Sequence, residues 1–189
     1  MIHHRYIGPE INIFLNGNPP HLSNKEINVF NTKINYVVDG AYNYVKNNNI
    51  KIDYIIGDFD SINNKINIVA DINNKYQLIK TLNQNYTDFD KTLNIIYRKG
   101  FLNINVWGAS GKEPDHFLGN LSTALKYKQK LSIIFYDNHS LYFFSKKQET
   151  LFIQQNKTIS LFPFTKVTNL FAYGLKYPIK KKHYKLGNK

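Results

Sequence analysis

Residues 54–61, Tyr54-Ile55-Ile56-Gly57-Asp58-Phe59-Asp60-Ser61, decide how the chain is read. An apolar run rich in β-branched residues stops at a glycine and at once presents two carboxylates at i and i+2. An unpaired carboxylate is strongly disfavoured in an apolar core, so Asp58 and Asp60 are expected at the end of a strand rather than within it. Two acids on one short loop, with the Ser61 hydroxyl beside them, suit a hard, oxygen-seeking cation. Mg²⁺ is such an ion: it takes one or two carboxylates and shares the phosphates of a substrate. The competing reading is a polar turn in which Asp60 or Ser61 caps the next element.

The same grammar extends in both directions. Ile11 to Leu15 ends at Asn16-Gly17-Asn18-Pro19-Pro20, and Ile34 to Val38 ends at Asp39-Gly40. Tyr76 to Leu82 ends in a polar loop, and Ile104 to Trp107 ends at Gly108-Ala109-Ser110-Gly111. Two helical patterns lie among the later runs. Thr87 or Asp88 caps the first, with Phe89, Leu93, Ile96 and Tyr97 on one face and a stop at Gly100. The second follows Pro114 and aligns Phe117, Leu121, Ala124 and Leu125. Strands alternating with helices predict an α/β layer with a largely parallel sheet.

After about Lys130 the pattern changes to short strand-like runs: Leu131 to Tyr136, Leu141 to Phe144, Leu151 to Ile153, Thr158 to Phe162 and Leu170 to Tyr173. The expected fold class is therefore α/β, a largely parallel N-terminal domain over residues 1–129 with a smaller C-terminal antiparallel β domain over 130–189. The basic tail from Lys180 to Lys189 is expected to be mobile.

A chain of 189 residues that is 42% hydrophobic and 15% aromatic can bury a core, which excludes a disordered chain. The net charge of +12 invites a nucleic-acid reading, although the lysines read as scattered rather than gathered into a stripe. There is no cysteine, so disulfides and thiolate metal sites are excluded. No apolar signal core follows Met1, and no segment approaches the roughly 18 apolar residues of a membrane span. A cytoplasmic protein is expected.

Asp39, Asp58 with Asp60, Asp88 and Asp115 each follow an apolar run or open a helix. In an open α/β sheet the loops at the carboxyl ends of the strands converge on one crevice. Clustered carboxylates repel unless a cation or proton intervenes, so the pattern implies a metal. Singly, Asp88 and Asp115 read more readily as N-cap or first-turn acids favoured by the helix dipole; their joint pattern is what points to a site. The Thr87-Asp88 start offers free backbone N–H groups, and Lys91 one turn on adds an ammonium, a combination suited to phosphate.

Taken in order, these blocks resemble one family. Asn16-Gly17-Asn18-Pro19-Pro20, Asp39-Gly40-Ala41-Tyr42-Asn43, Gly57-Asp58-Phe59-Asp60-Ser61, Gln84, Thr87-Asp88-Phe89 with Lys91, and Gly108 to Asp115-His116 with Asn120 are similar to thiamine pyrophosphokinase. The resemblance runs from about Phe14 to Tyr177 and implies an N-terminal α/β domain, a C-terminal β-sandwich and a homodimer. It implies transfer of a pyrophosphoryl group from ATP to the hydroxyl of thiamine, releasing AMP. Asp58, Asp60 and Asp88 would hold Mg²⁺, with Asp39 and Asp115 completing the acidic wall. Asn16, Ser61, Thr87, Lys91, Lys112, His116 and Asn120 would serve ATP, and Gln84 would touch thiamine. The cationic thiazolium favours aromatic faces, for which Tyr173 and Tyr177, with Phe171 near them, are candidates; tyrosines of an ordinary β domain are the plainer reading.

The chain departs from the family pattern in four places. Asp39-Gly40-Ala41-Tyr42-Asn43 stands where the family has Asp-Gly-Gly-Ala-Asn, so Tyr42 adds bulk beside a close backbone approach. Asn83 and Asn85 stand where acids are common. Gly111-Lys112-Glu113 replaces Gly-Gly-Arg, and Glu113 cannot give the bidentate phosphate contact of arginine. After Gly174-Leu175-Lys176-Tyr177 no Ser-Asn-bearing strand is recognisable. Two other function classes compete: a basic nucleic-acid-binding module using lysines and stacking aromatics, and a non-catalytic nucleotide or thiamine binder.

Overall fold

The computed structural model describes residues 4–59 and 76–187, so Asp60 and Ser61 lie outside the described residues. The chain divides into two compact units, the first ending at Thr150 and the second starting at Leu151.

The first unit is built on one sheet. Its strands are β1 (Glu10–Phe14), β2 (Ile34–Val38), β3 (Tyr54–Gly57), β4 (Gln77–Lys80), β5 (Asn103–Trp107), β6 (Ser132–Tyr136) and β7 (Leu141–Tyr142). They lie in the order β4-β3-β2-β1-β5-β6-β7, and every pairing is parallel except β6 with β7. Helices α1 (Asn24–Asn31), α2 (Tyr42–Asn47), α3 (Asp88–Arg98) and α4 (Pro114–Tyr127) connect them. Strands buried on both faces need largely apolar runs, which β1, β2, β3 and β5 supply around the buried asparagines Asn12, Asn35 and Asn105, whose side-chain amides are hydrogen-bonded. On one face Ile13, Tyr36, Ile56 and Val106 form a core with Phe89, Leu93 and Ile96 of α3 and Ala124 and Tyr127 of α4. On the other, Phe14, Val37 and Trp107 cluster with Phe30 of α1 and Val45 of α2.

Strand order fixes where a ligand crevice lies. The chain steps outward from β1 to β4 and then returns to place β5 on the other side of β1. The neighbours β1 and β5 are therefore the topological switch point, where loops at the carboxyl edge diverge and leave a cleft.

Local chemistry explains the helix ends. Thr87 caps α3 by accepting from the Asp90 amide at 3.2 Å, and Gly100, at φ +83°, follows its last turn. Ser23 and Glu26 form a reciprocal capping box at α1. Tyr97 differs from expectation: it is about two-fifths exposed, with the Lys130 ammonium 5.5 Å from its ring centroid.

The boundary expected near Lys130 falls inside the first unit. Residues 132–136 are paired in parallel along all of β5, because Ile133, Ile134 and Phe135 complete the large sheet. The second unit is antiparallel, as expected. Among its described residues it holds one two-stranded sheet, β8 (Lys166–Ala172) with β9 (Ile179–Lys185), and 151–153 and 158–162 are not strands. The tail expected to be mobile is β9 through Lys185. Its charged run Lys180-Lys181-Lys182 hid a strand whose half-buried positions are Ile179 and Tyr184. None of the helices among the described residues is long and apolar enough to cross a membrane.

Candidate active site

Four loops at the carboxyl edge of the sheet meet around Asp39. This residue opens a single 3₁₀ turn, Asp39–Ala41, straight after β2, and it is buried. Its two carboxylate oxygens accept from the Gly40 amide at 2.7 Å and the Phe59 amide at 3.0 Å, which ties the loop after β2 to the loop after β3. Gly57 is obligatory here, since a Cβ at that position would run into the Asp39 carboxylate. Asp58 follows at once, and its Oδ2 accepts from Gln84 Nε2 at 3.1 Å. Asp88, the first residue of α3, pairs through Oδ1 with Lys91 Nζ at 2.7 Å, and Lys91 also reaches the Thr81 carbonyl at 3.5 Å.

These acids act on one another. Burial pushes the Asp39 carboxyl above its ordinary value, and the negative charges of Asp88 and Asp58 add to the rise while the two amide hydrogen bonds oppose it. Three carboxylates, one of them buried, thus share a small region, and the Lys91 ammonium pairs with one of them. The donor set is all hard oxygen, which fits Mg²⁺ rather than a softer metal.

The switch-point cleft adjoins this cluster. Gly17 N donates to the Gly108 carbonyl and Asn18 N to the Ser110 carbonyl, both at 2.7 Å, so the loops after β1 and β5 are stitched together. No side chain fits between them, because a Cβ on Gly17 would collide with both carbonyls. Lys112 Nζ donates to Asn16 Oδ1 at 2.8 Å across the cleft, and the Asn16 side chain lies where a Cβ on Gly40 would have to be. An arc of contacts therefore runs from Lys112 through Asn16 and Gly40 to Asp39 and on to Asp58. Asn120 of α4 secures the glycine loop by donating to the Ala109 carbonyl at 2.9 Å.

Other expected residues sit apart from the arc. Asp115 is exposed in the first turn of α4 beside Glu113 and His116, whose Oε2 and Nδ1 are 3.3 Å apart. The charges of Asp88 and Asp58 act on Asp39. Glu113, at the position of the family's arginine, is 70% exposed and turned to His116. Thr87 spends its hydroxyl on the helix cap. Tyr173 and Tyr177 are in the second unit, both largely exposed, with Tyr173 stacked against Phe171 at 6.5 Å between centroids. Sequence reasoning missed Asn18, whose Nδ2 donates to the Gly111 carbonyl at 2.7 Å. The Asn-Gly-Asn turn held the signal, since asparagine side chains commonly bond nearby backbone in turns.

Residues 28–135, more than half of the chain, match the model of a family described as thiamin pyrophosphokinase, catalytic domain. The chain belongs to the thiamin pyrophosphokinase family. It is 31% identical over 136 residues to the thiamine pyrophosphokinase of Bacillus subtilis (strain 168), covering 70% of this chain and 64% of that protein. It is 29% identical over 140 residues to thiamin pyrophosphokinase 1 of Caenorhabditis elegans, covering 68% and 56%. The matches thus span less than two thirds of either curated relative. Among solved structures, the crystal structure of thiamine pyrophosphokinase from Bacillus subtilis superimposes with a TM-score of 0.79 at 25% identity, covering 95% of this chain and 86% of that one.

Proposed function

We propose that the protein is a thiamine diphosphokinase: it transfers the pyrophosphoryl group of ATP to the hydroxyl of thiamine and releases AMP. Family membership supports the reading, and the observation that carries it is the convergence of Asp39, Asp58 and Asp88 beside Lys91 at the edge of the switch-point cleft. Asp58 and Asp88 would hold Mg²⁺, together with Asp60 as the next acid of the same motif, and the bound cation would supply neutralisation of the triphosphate charge. Lys91 and Lys112 provide ammonium groups for the phosphate oxygens from opposite ends of the arc, and the stitched glycine loops let backbone approach the nucleotide closely. Ser61, Thr87, His116 and Asn120 complete the nucleotide side.

The thiamine oxygen attacks the β-phosphorus, the bond from that phosphorus to the oxygen bridging it to the α-phosphorus breaks, and AMP departs with that oxygen. A carboxylate takes the hydroxyl proton. Asp39 is better placed for this than Asp115, because it faces Asp58 and Asp88 while Asp115 sits with Glu113 and His116. Gln84 orients thiamine from its contact with Asp58, and Tyr173 and Tyr177 offer faces to the thiazolium. A homodimer formed through the second unit covers its exposed Phe152, Phe162, Phe171 and Leu186. The reaction is placed in the cytoplasm, with its ATP.

Incubation of the purified protein with thiamine, ATP and Mg²⁺ tests this reading. Thiamine diphosphate and AMP in equal amounts are expected. ADP with thiamine monophosphate would overturn pyrophosphoryl transfer, and tight binding of both substrates without products would identify a non-catalytic binder.

A further inference from the structure

Tyr42 stands where the family pattern has a small residue, and the bulk it adds there is buried. The side chain is 3% exposed and forms a small core of its own with Ile55, against which Ile52, Phe59 and Tyr76 pack. The Lys46 ammonium lies 5.5 Å from its ring centroid. Tyr42 thus links two loops of the acidic cluster. It is three residues after Asp39, and the cluster it forms with Ile55 is the one on which Phe59, the residue directly after Asp58, packs.

That residue is in an unusual state. Phe59 has φ +64°, a left-handed conformation that strains a bulky side chain and persists only where surroundings over-determine it. Two restraints are present. The Phe59 amide donates to Asp39 Oδ2 at 3.0 Å, and the Phe59 ring packs on the Tyr42 cluster. One net hydrogen bond is a weak restraint on such a backbone, and a half-buried ring without an apolar wall would turn with its backbone.

We propose that Tyr42 is a positioning residue that, through Phe59, holds the Asp58 loop against Asp39 and so sets the divalent-cation affinity of the cluster. Relaxation of Phe59 to negative φ would rotate its peptide, withdraw the amide from Asp39 and redirect Asp58, the acid that precedes it. The proposal rests on the metal role assigned to these acids above, but one of its consequences does not: the Phe59 amide is held by Tyr42 whether or not a cation binds.

Two measurements on the full chain test it, with Tyr42→Ala, Tyr42→Phe and Phe59→Ala. The first is hydrogen exchange of the Phe59 amide in metal-free protein, where Tyr42→Ala speeds exchange and Tyr42→Phe restores protection. The second is calorimetric titration with Mg²⁺ in the presence of a non-hydrolysable ATP analogue. There Tyr42→Ala weakens binding by roughly tenfold, the scale for loss of a group that orients a ligand. Tyr42→Phe binds normally, and Tyr42→Ala adds nothing in a Phe59→Ala background because the two act as one unit. A folded Tyr42→Ala with unchanged exchange and affinity would overturn the proposal; Tyr42→Leu replaces it with the same expectations should the alanine variant not fold. Faster exchange without Mg²⁺ binding even in the wild type would uphold the Tyr42–Phe59 restraint and overturn the metal role instead.

Discussion

In the first unit every strand of the parallel sheet contributes to a core, and all the buried side chains described lie between Ile11 and Phe135; in the second, from Leu151 on, none is buried. Charge divides the same way. Every Asp and Glu precedes Thr150, whereas the 39 residues after it carry eight lysines and no acid. The lysine excess that reads as scattered along the sequence is therefore concentrated in the smaller unit. In the first unit a polar group stands where packing puts it, so distances around Asp39 carry chemical meaning. A two-stranded sheet without buried residues gives no such guarantee, and its aromatics depend on whatever surface association covers.

Core truncation sharpens this contrast most. Leu93, fully buried beneath the sheet, is expected to cost about 2–5 kcal/mol of unfolding free energy as Leu93→Ala. Phe171, half exposed on β8, is expected to cost within about 0.5 kcal/mol at low protein concentration. If the second unit forms the dimer, Phe171→Ala also removes the concentration dependence of the melting temperature. Denaturation at two protein concentrations gives both quantities. Equal costs at high dilution would erase the distinction between the units.

Chemistry divides along the same line. Asp58→Asn and Asp88→Asn preserve size, so each is expected to lower kcat/KM by roughly 10²–10³, the scale for losing one preorganised electrostatic group, while leaving the chain folded. If Tyr173 and Tyr177 face the thiazolium as proposed, Tyr173→Ala and Tyr177→Ala are expected to act on thiamine alone, raising its KM by about 3- to 30-fold as a cation–π contact of about 0.5–2 kcal/mol allows. Steady-state kinetics separates the two patterns. Near-normal turnover in both asparagine variants would remove the acidic cluster from the mechanism.

What the sequence disclosed follows the same physics. Strands β1, β2, β3 and β5 were legible because each apolar run ends abruptly at Gly, Asp or Asn, and that ending also announced that Asp39, Asp58 and Asp88 lie on one edge. Helix α3 was legible from Thr87, the buried spacing of Phe89, Leu93 and Ile96, and Gly100. Helix α2 was not, since Tyr42 to Asn47 is too short to display a period, and the Ser23–Glu26 box that marks α1 went unread. The stitching of Gly17 to Gly108 joins residues far apart in the chain, which no local pattern encodes. Beyond Lys130 alternation was read without register, so β6 was assigned to the wrong unit and β9 was mistaken for a tail.

Acid sensitivity gives the smallest effect and tests whether it belongs to the first unit alone. His4 accepts and donates within a polar clasp, with Nδ1 3.0 Å from Ser132 Oγ and Nε2 3.0 Å from Asn105 Oδ1, near Glu10 and Lys33. Burial holds its pKa below 6.5, against the pull of the Asn105 hydrogen bond and the Glu10 charge. The folded chain then binds this proton less readily than the unfolded one, so the stabilisation is complete above the ordinary value of 6.5 and is lost as pH falls through the lower folded value. Glu10 acts in the same direction at lower pH. Burial alone would raise its carboxyl, but the hydrogen bonds from Lys33 and Asn105 outweigh it and hold it below 4.5, so its contribution is lost as pH falls through that lower value. Asp39 has the opposite sign: its raised carboxyl binds a proton more readily when folded, which adds stability as pH falls toward 3.8. The first decline in the melting temperature of metal-free protein is therefore expected just below pH 6.5 and traces to His4. Its size is on the order of the 1 kcal/mol that a net hydrogen bond contributes. His4→Gln should flatten that step while leaving the changes at lower pH in place. If the step survives the substitution, its source has to be sought at another histidine, and His183 is the only one in the second unit.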